Sequence, residues 1–110
     1  MRAHSLRNQV TIVGNMWSDA EITTYENGAK VARFSVEIER TRKSPQGKAQ
    51  KTSEQYRMFA WGTTAEFVQR YCDKGNKVAI SGRLVNRTYV SPAGYPNKVT
   101  EIEVRQVIRF

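Results

Sequence analysis

The chain has 110 residues, 18 of them Lys or Arg against 10 Asp or Glu, for a formal charge of +8 at neutral pH. That length supports one hydrophobic core, so residues 1–110 form a single domain, and the charge points to a polyanionic partner. No apolar run approaches the roughly 18 residues of a membrane span, no amphipathic helix gathers its cations on one face, and residues 1–8 lack the apolar stretch of a secretory leader; the expected setting is cytoplasmic, with no membrane partner.

Residues 9–14 (QVTIVG) are short and β-branched, and 20–25 form a second short run ending at Asn27-Gly28, a pair suited to a tight primed hairpin turn. Residues 31–40 predict a long third strand, with Ala32, Phe34, Val36 and Ile38 on the core face and Arg33, Ser35, Glu37 and Glu39 on the other. From 40 to 51 come Arg40, Arg42, Lys43, Lys48 and Lys51 with no acid, broken by Ser44, Pro45, Gln46 and Gly47. This composition predicts a flexible cationic loop that follows a phosphate backbone; alone, it would equally suit a solvated loop. Residues 54–61 predict a fourth strand with Tyr56, Met58 and Ala60 against Gln55, Arg57, Phe59 and Trp61, so both faces carry apolar groups.

The period changes at 63–72. Thr63 and Glu66 stand at capping-box spacing, Phe67, Val68, Tyr71 and Cys72 make an apolar stripe, and Gly75 supplies a stop. Cys72 reads as a small core hydrophobe; as the only cysteine it excludes an internal disulfide, and with His4 as the only histidine no zinc site or other cofactor is expected. Residues 77–89 return to β structure, with Val78, Ile80 and Leu84 inward and Gly82 marking a bulge or a sharp coil. Residues 91–96 predict a turn, and 98–106 a closing strand with Ile102 and Val104 inward.

Short coiled strands with one helix after the first meander predict an all-β fold: a five-stranded Greek-key barrel of the oligonucleotide-binding kind (OB-fold) with one α-helix. A mixed α+β sheet with one exposed face is the competitor. Single strands of nucleic acid expose phosphates and unstacked bases together, so a binder needs a cationic groove with aromatic platforms. Opposite the core, Arg33, Arg57, Arg83 and Arg87 share strand faces with Phe59, Trp61 and Tyr89, and Trp17 sits in the first loop. Trp61 and Phe59 would serve equally in a second apolar layer or at a subunit contact, and Trp17 could cap the barrel.

The segments NQVTIVGN (8–15), DAE (19–21), YENG (25–28), VARFSV (31–36), WG (61–62), AE (65–66), Tyr71 with KG (74–75) and GRL (82–84) occur in an order and spacing that resembles the bacterial single-stranded DNA-binding proteins. The resemblance spans nearly the whole chain. It implies a homo-oligomer, usually a tetramer with a dimer as the alternative, that coats single-stranded DNA in replication, recombination or repair, at the nucleoid, without sequence preference or catalysis. It also implies base stacking at Trp61 and Tyr89, and a subunit contact at Asn8, Val10 and Tyr56. Two positions depart from it: Arg42 and Gln55 stand where relatives place aromatic rings. Arg42 can still stack its guanidinium and pair with phosphate, whereas Gln55 provides no platform, so binding should lean on charge and fall more steeply with salt. The acidic tip of replicative members has no counterpart here, the last acid being Glu103, so tail-mediated recruitment of repair enzymes is not expected.

A looser resemblance, to primosomal replication protein N, implies instead a dimeric adaptor in primosome assembly. A small nuclease fares worse, because Glu37 and Glu39 sit at strand spacing, where pairing with Lys or Arg is their ordinary role. The sequence leaves DNA against RNA open.

Overall fold

A computed structural model describes residues 7–110, so His4 lies outside the described residues. Six strands and one helix follow in the order β1 (Val10–Met16), β2 (Glu21–Thr24), β3 (Lys30–Lys43), β4 (Ala49–Trp61), α1 (Gly62–Tyr71), β5 (Lys77–Val90) and β6 (Pro96–Arg109). Five of them close a barrel in the order β1-β5-β6-β4-β3, and β3 returns to β1 through Asn15↔Glu37 and Met16↔Val36; β2 lies outside the ring on the free edge of β3. Every contact is antiparallel except β4 with β6, where Met58↔Ile102 and Phe59↔Glu103 run parallel. This is the expected OB-type barrel with its single helix, plus one short edge strand.

The alternation read from residues 31–40 holds. Ala32, Phe34 and Val36 are buried with Met58, Ala60, Val78, Ile80 and Ile102 in one core, and Ile38 and Tyr56 are partly buried at its end. Helix α1 closes the barrel with Ala65, Val68 and the capping residue Cys72. Its start differs from the expected capping box: Trp61 is the N-cap, extended and without a side-chain bond, and Gly62, at φ +61°, opens the helix directly from β4, so Thr63 is already inside the first turn. Tyr71 is half-exposed and tilts against the Phe67 ring at 5.0 Å rather than completing the core stripe.

Cys72 is 2% exposed, and burial pushes its thiol pKa up, so its thiolate is scarce and shielded. Iodoacetamide at pH 8 is expected to label it at least ~100-fold more slowly in native protein than in urea, since reaction must await opening. Equal rates would place the thiol at the surface.

Two corrections share one cause. The segment 40–51 is not a loose loop: β3 and β4 continue in register through Arg40↔Thr52, Arg42↔Gln50 and Lys43↔Ala49, leaving only residues 44–48 as the turn. There Gly47 N–H donates to the Ser44 carbonyl at 2.8 Å, Lys48 N–H to Ser44 Oγ at 3.1 Å, and Gly47 takes φ +78°. The β5–β6 hairpin ends in the same way: Gly94 N–H meets the Ser91 carbonyl at 2.9 Å, Tyr95 N–H meets Ser91 Oγ at 3.2 Å, and Gly94 takes φ +88°. Ser-Pro-x-Gly builds both: Ser accepts from the backbone, Pro presets φ at the first corner, and Gly supplies the left-handed fourth position. Asn27-Gly28 follows the same logic instead of a primed turn, with Gly28 alone at positive φ (+85°) and its N–H on the Tyr25 carbonyl at 2.9 Å. The two long hairpins project as arms, which contributes to overall extents of 57 × 40 × 34 Å.

Gly82 sits at the root of the β5–β6 arm. It is the last β5 residue paired with β1, through Val10, and a bulge at Ser81/Gly82 shifts the register to β6. Leu84, expected inward, is half-exposed because beyond Gly82 the inner side of the strand no longer faces the core. Among the described residues no helix is long and apolar enough to cross a membrane.

Candidate nucleic-acid interface

The outer face of β3–β4 is fixed by register. Val31↔Trp61, Arg33↔Phe59, Ser35↔Arg57 and Glu37↔Gln55 are cross-strand pairs on the side away from the core, and the same side continues along the arm to Thr41↔Lys51 and Lys43↔Ala49. Trp61, Phe59 and Arg57 therefore follow one another at alternate positions down one strand, and Lys51 lies on the same side past Gln55 and Ser53. Trp61 is 44% exposed and stacks on Tyr25 of the β2–β3 turn, with centroids 6.0 Å apart and planes at 30°. Phe59 is half-buried, and the Arg33 guanidinium carbon lies 5.6 Å from its ring centroid. Val31 is fully buried on this outer side, so Trp61 lies beside a small apolar patch while keeping nearly half of its surface in water.

The arm's cations divide between its faces. Strand alternation puts Lys43 and Lys51 with Arg57 and Phe59, while Arg40 and Arg42 share the reverse face with Ile38, Glu54 and Tyr56; Lys48 is in the turn. Charge therefore surrounds the arm instead of lying on one side of it. On the reverse face the Tyr56 hydroxyl donates to Glu54 Oε2, and that bond raises the phenol pKa, with burial adding and Arg40 opposing.

Because β4 and β6 pair only at Met58 and Phe59, the arms diverge beyond them and leave a cleft of about 450 Å³ lined by Gln55, Tyr56, Arg57, Leu84, Tyr89 and Val99, among others. Tyr89, 46% exposed, and Gln55 thus line the same opening. Trp17, 48% exposed, is tied by its backbone N–H to the Ser35 carbonyl at 2.9 Å, which sets it one residue from Ser18 on the rim of a second cleft.

The outward arginines are less free than alternation implies. Arg83 Nε pairs with Glu103 Oε1 at 2.7 Å, and Arg33 and Arg87 both pair with Glu101, at 3.6 and 3.3 Å. Glu101, Glu103 and Tyr25 are members of this surface that sequence reasoning did not select. Tyr25 carried a signal, as an aromatic in a turn beside a strand ending in Trp61; Glu101 looked like any outward acid on the closing strand. The proposed subunit-contact residues are also placed: the Asn8 amide both donates to the Leu84 carbonyl at 3.0 Å and accepts from its N–H at 2.8 Å, extending β1 along β5, and Val10 packs on the core edge. Among the described residues no group of three or more His, Cys, Asp or Glu is placed to hold a metal.

The sequence profile described as "Single-strand binding protein family" matches residues 7–110. Single-stranded DNA-binding protein B of Bacillus subtilis is 32% identical over 103 residues, which is 94% of this chain and 88% of that protein. Single-stranded DNA-binding protein A of the same organism is 31% identical over 100 residues, 91% of this chain and 57% of that protein. Single-stranded DNA-binding protein 1 of Staphylococcus aureus is also 31% identical, over 94% of this chain and 64% of its own length, so the chain spans less than two thirds of these two longer relatives. Among solved structures, the Plasmodium falciparum SSB in complex with ssDNA superposes with a TM-score of 0.85 over 100% of this chain and 99% of that one, at 22% identity, which shows a shared fold. By its profile match across the whole barrel and its identity to protein B over nearly both full lengths, this chain belongs to the single-strand binding protein family.

Proposed function

We propose that this chain binds and coats single-stranded DNA without sequence preference and without catalysis, serving replication, recombination or repair in the cytoplasm. The observation that carries this reading is the shared outer face of β4, on which Trp61, Phe59 and Arg57 stand at successive alternate positions and Lys51 lies farther along the same side, so that rings and cations are gathered on one strand face. Arg40, Arg42, Lys43 and Lys48 extend the charge around the arm, Tyr89 and Gln55 line the neighbouring cleft, and Trp17 borders the far rim. Arg83, already paired, contributes to the potential more than to a direct contact.

The chain works as a homo-oligomer, with Asn8, Val10 and Tyr56 at the subunit contact. Supporting an assembled form, Val13, Ala79 and Ile108 align across β1, β5 and β6 as an outward apolar stripe, with Val13 and Ile108 46% and 52% exposed.

Titrating the tryptophan fluorescence with oligo-dT of graded length, alongside light scattering, tests both statements. Binding saturable at low salt with quenching of Trp61 is expected, and a mass that is a multiple of the monomer. Trp61→Ala should weaken binding by about 5- to 100-fold, since each base stack contributes roughly 1–3 kcal/mol. Absence of oligo-dT binding at low salt would overturn the function, and a monomer mass in complex would overturn the assembly.

A further inference from the structure

Glu101 is the buried charged residue among those described, with 6% of its side chain exposed. It sits on β6, and its carboxylate is met from two sides. From β5, Arg87 approaches with Nε 3.3 Å from Oε1 and Nη2 3.4 Å from Oε2; from β3, beyond the intervening β4, Arg33 places Nη1 3.6 Å from Oε2. Removing a carboxylate from water costs several kcal/mol unless good partners replace the solvent, so this burial calls for a reason. A surface ion pair would do as well for solubility.

The arginines supply the reason. Their side chains remain 38% and 48% exposed although the acid between them is dry, so each is anchored at one edge and wet at the other. A guanidinium has five N–H donors in a rigid fork; Glu101 engages one nitrogen of Arg33 and two of Arg87, leaving the rest of each fork for another acceptor. Phe59, 5.6 Å from the Arg33 guanidinium carbon, holds that side chain against its ring. The two forks border a cleft of about 300 Å³ that Arg57 enters from β4, with the Ser18 and Ser35 residues on its rim. Three guanidiniums against the carboxylates of Glu21 and Glu101 leave this lining one positive charge in excess, the complement of one phosphodiester.

We propose that Glu101 is a positioning residue: without touching nucleic acid, it holds Arg33 and Arg87 on opposite sides of this cleft so that, with Arg57, they seat one backbone phosphate. The seat deepens the DNA-binding reading and rests on it. Fixing two long side chains in the free protein removes an ordering cost that binding would otherwise carry. It also gives the acid an effect opposite in sign to its charge. A carboxylate that merely sat in a basic groove would repel DNA, and its neutralisation would tighten binding.

Affinity for oligo-dT and its salt dependence, measured on the full chain with melting temperatures alongside, separate the two roles. Glu101→Gln is expected to weaken binding about 5- to 10-fold at fixed salt although the protein becomes more positive, with Glu101→Asp recovering part of the loss. In an Arg33→Met/Arg87→Met background the same change should alter binding by less than about 2-fold, because the residues through which it acts are gone. The double arginine variant should lose about 0.7 from the slope of log K against log salt, one phosphate, rather than about 1.4 for two independent contacts. That measurement stands even if Glu101→Gln does not fold. Tighter or unchanged binding by Glu101→Gln, an undiminished effect in the double background, or a slope loss near 1.4 would each overturn the proposal. Failure of the parent protein to bind oligo-dT would instead overturn the function on which it rests.

Discussion

Gly82→Ala is expected to lower the melting temperature by about 10–20 °C, corresponding to roughly 3 kcal/mol, an overpacking penalty at the top of the usual range. The position does not need glycine for its φ, which is not positive; it needs the missing side chain. A Cβ built there falls on the Glu103 carbonyl oxygen, 2.9 Å from the Glu103 carbonyl carbon and 3.2 Å from Ile102 Cγ2. The obstructing atoms are β6 backbone at the bulge, and they cannot swing aside as a flexible side chain would. Relief requires β5 and β6 to separate where β5 leaves β1, which loosens the paired residues Leu84 and Ile102 and the Arg83–Glu103 bridge together. Gly94→Ala provides the contrast. Its Cβ meets nothing within 4 Å, but its φ of +88° is left-handed, so only the intrinsic cost of about 1–2 kcal/mol applies. Circular dichroism melts of both variants check the pair: equal small shifts would show that the two strands are not in close contact at Gly82.

How far the fold could be read from sequence depends on whether the two faces of a strand differ. Along 31–38 they differ, apolar against polar, so both the strand and its core face were legible; Gly82 was legible as a bulge because glycine in a strand has few other uses. Along 41–53 both faces are polar, and periodicity carries no information. The pairing there is made by backbone hydrogen bonds and set by the turn, and the available signal was the repeated Ser-Pro-x-Gly at 44–47 and 91–94. Trp61, Phe59 and Arg57 could be grouped because neighbours in one strand share a face by parity. Glu101 could not, since its burial depends on an arginine two strands away that no local pattern connects to it. Tyr25 and Trp61 are also far apart in the chain, though on a smaller scale, and folding stacks them. What the sequence showed of the surface was its chemistry, and what it lacked was which charges are already paired.

That distinction sets the expected behaviour of the arm. Lys43, Lys48 and Lys51 lie at its turn and on its Trp61 side, away from the Glu101 and Glu103 pairs, so replacing all three with Gln should remove up to three phosphate contacts and lower the formal charge from +8 to about +5. The slope of log K against log salt should become shallower by about 2, at roughly 0.7 per phosphate on a single strand. At fixed salt near 0.1 M the loss is smaller than the charge suggests, about 3- to 100-fold, because exposed ion pairs contribute only roughly 0.2–1 kcal/mol each. Arg40→Gln with Arg42→Gln tests the reverse face. A slope change of about 1.4 there means that DNA passes around the arm, whereas no change means that it runs along the Trp61 side alone. Trp61→Ala should lower affinity at every salt concentration and leave the slope unaltered, because stacking releases no counterions. If the lysine variant kept the parent slope, the arm would be a solvated hairpin and the charge dependence would have to arise from the barrel wall.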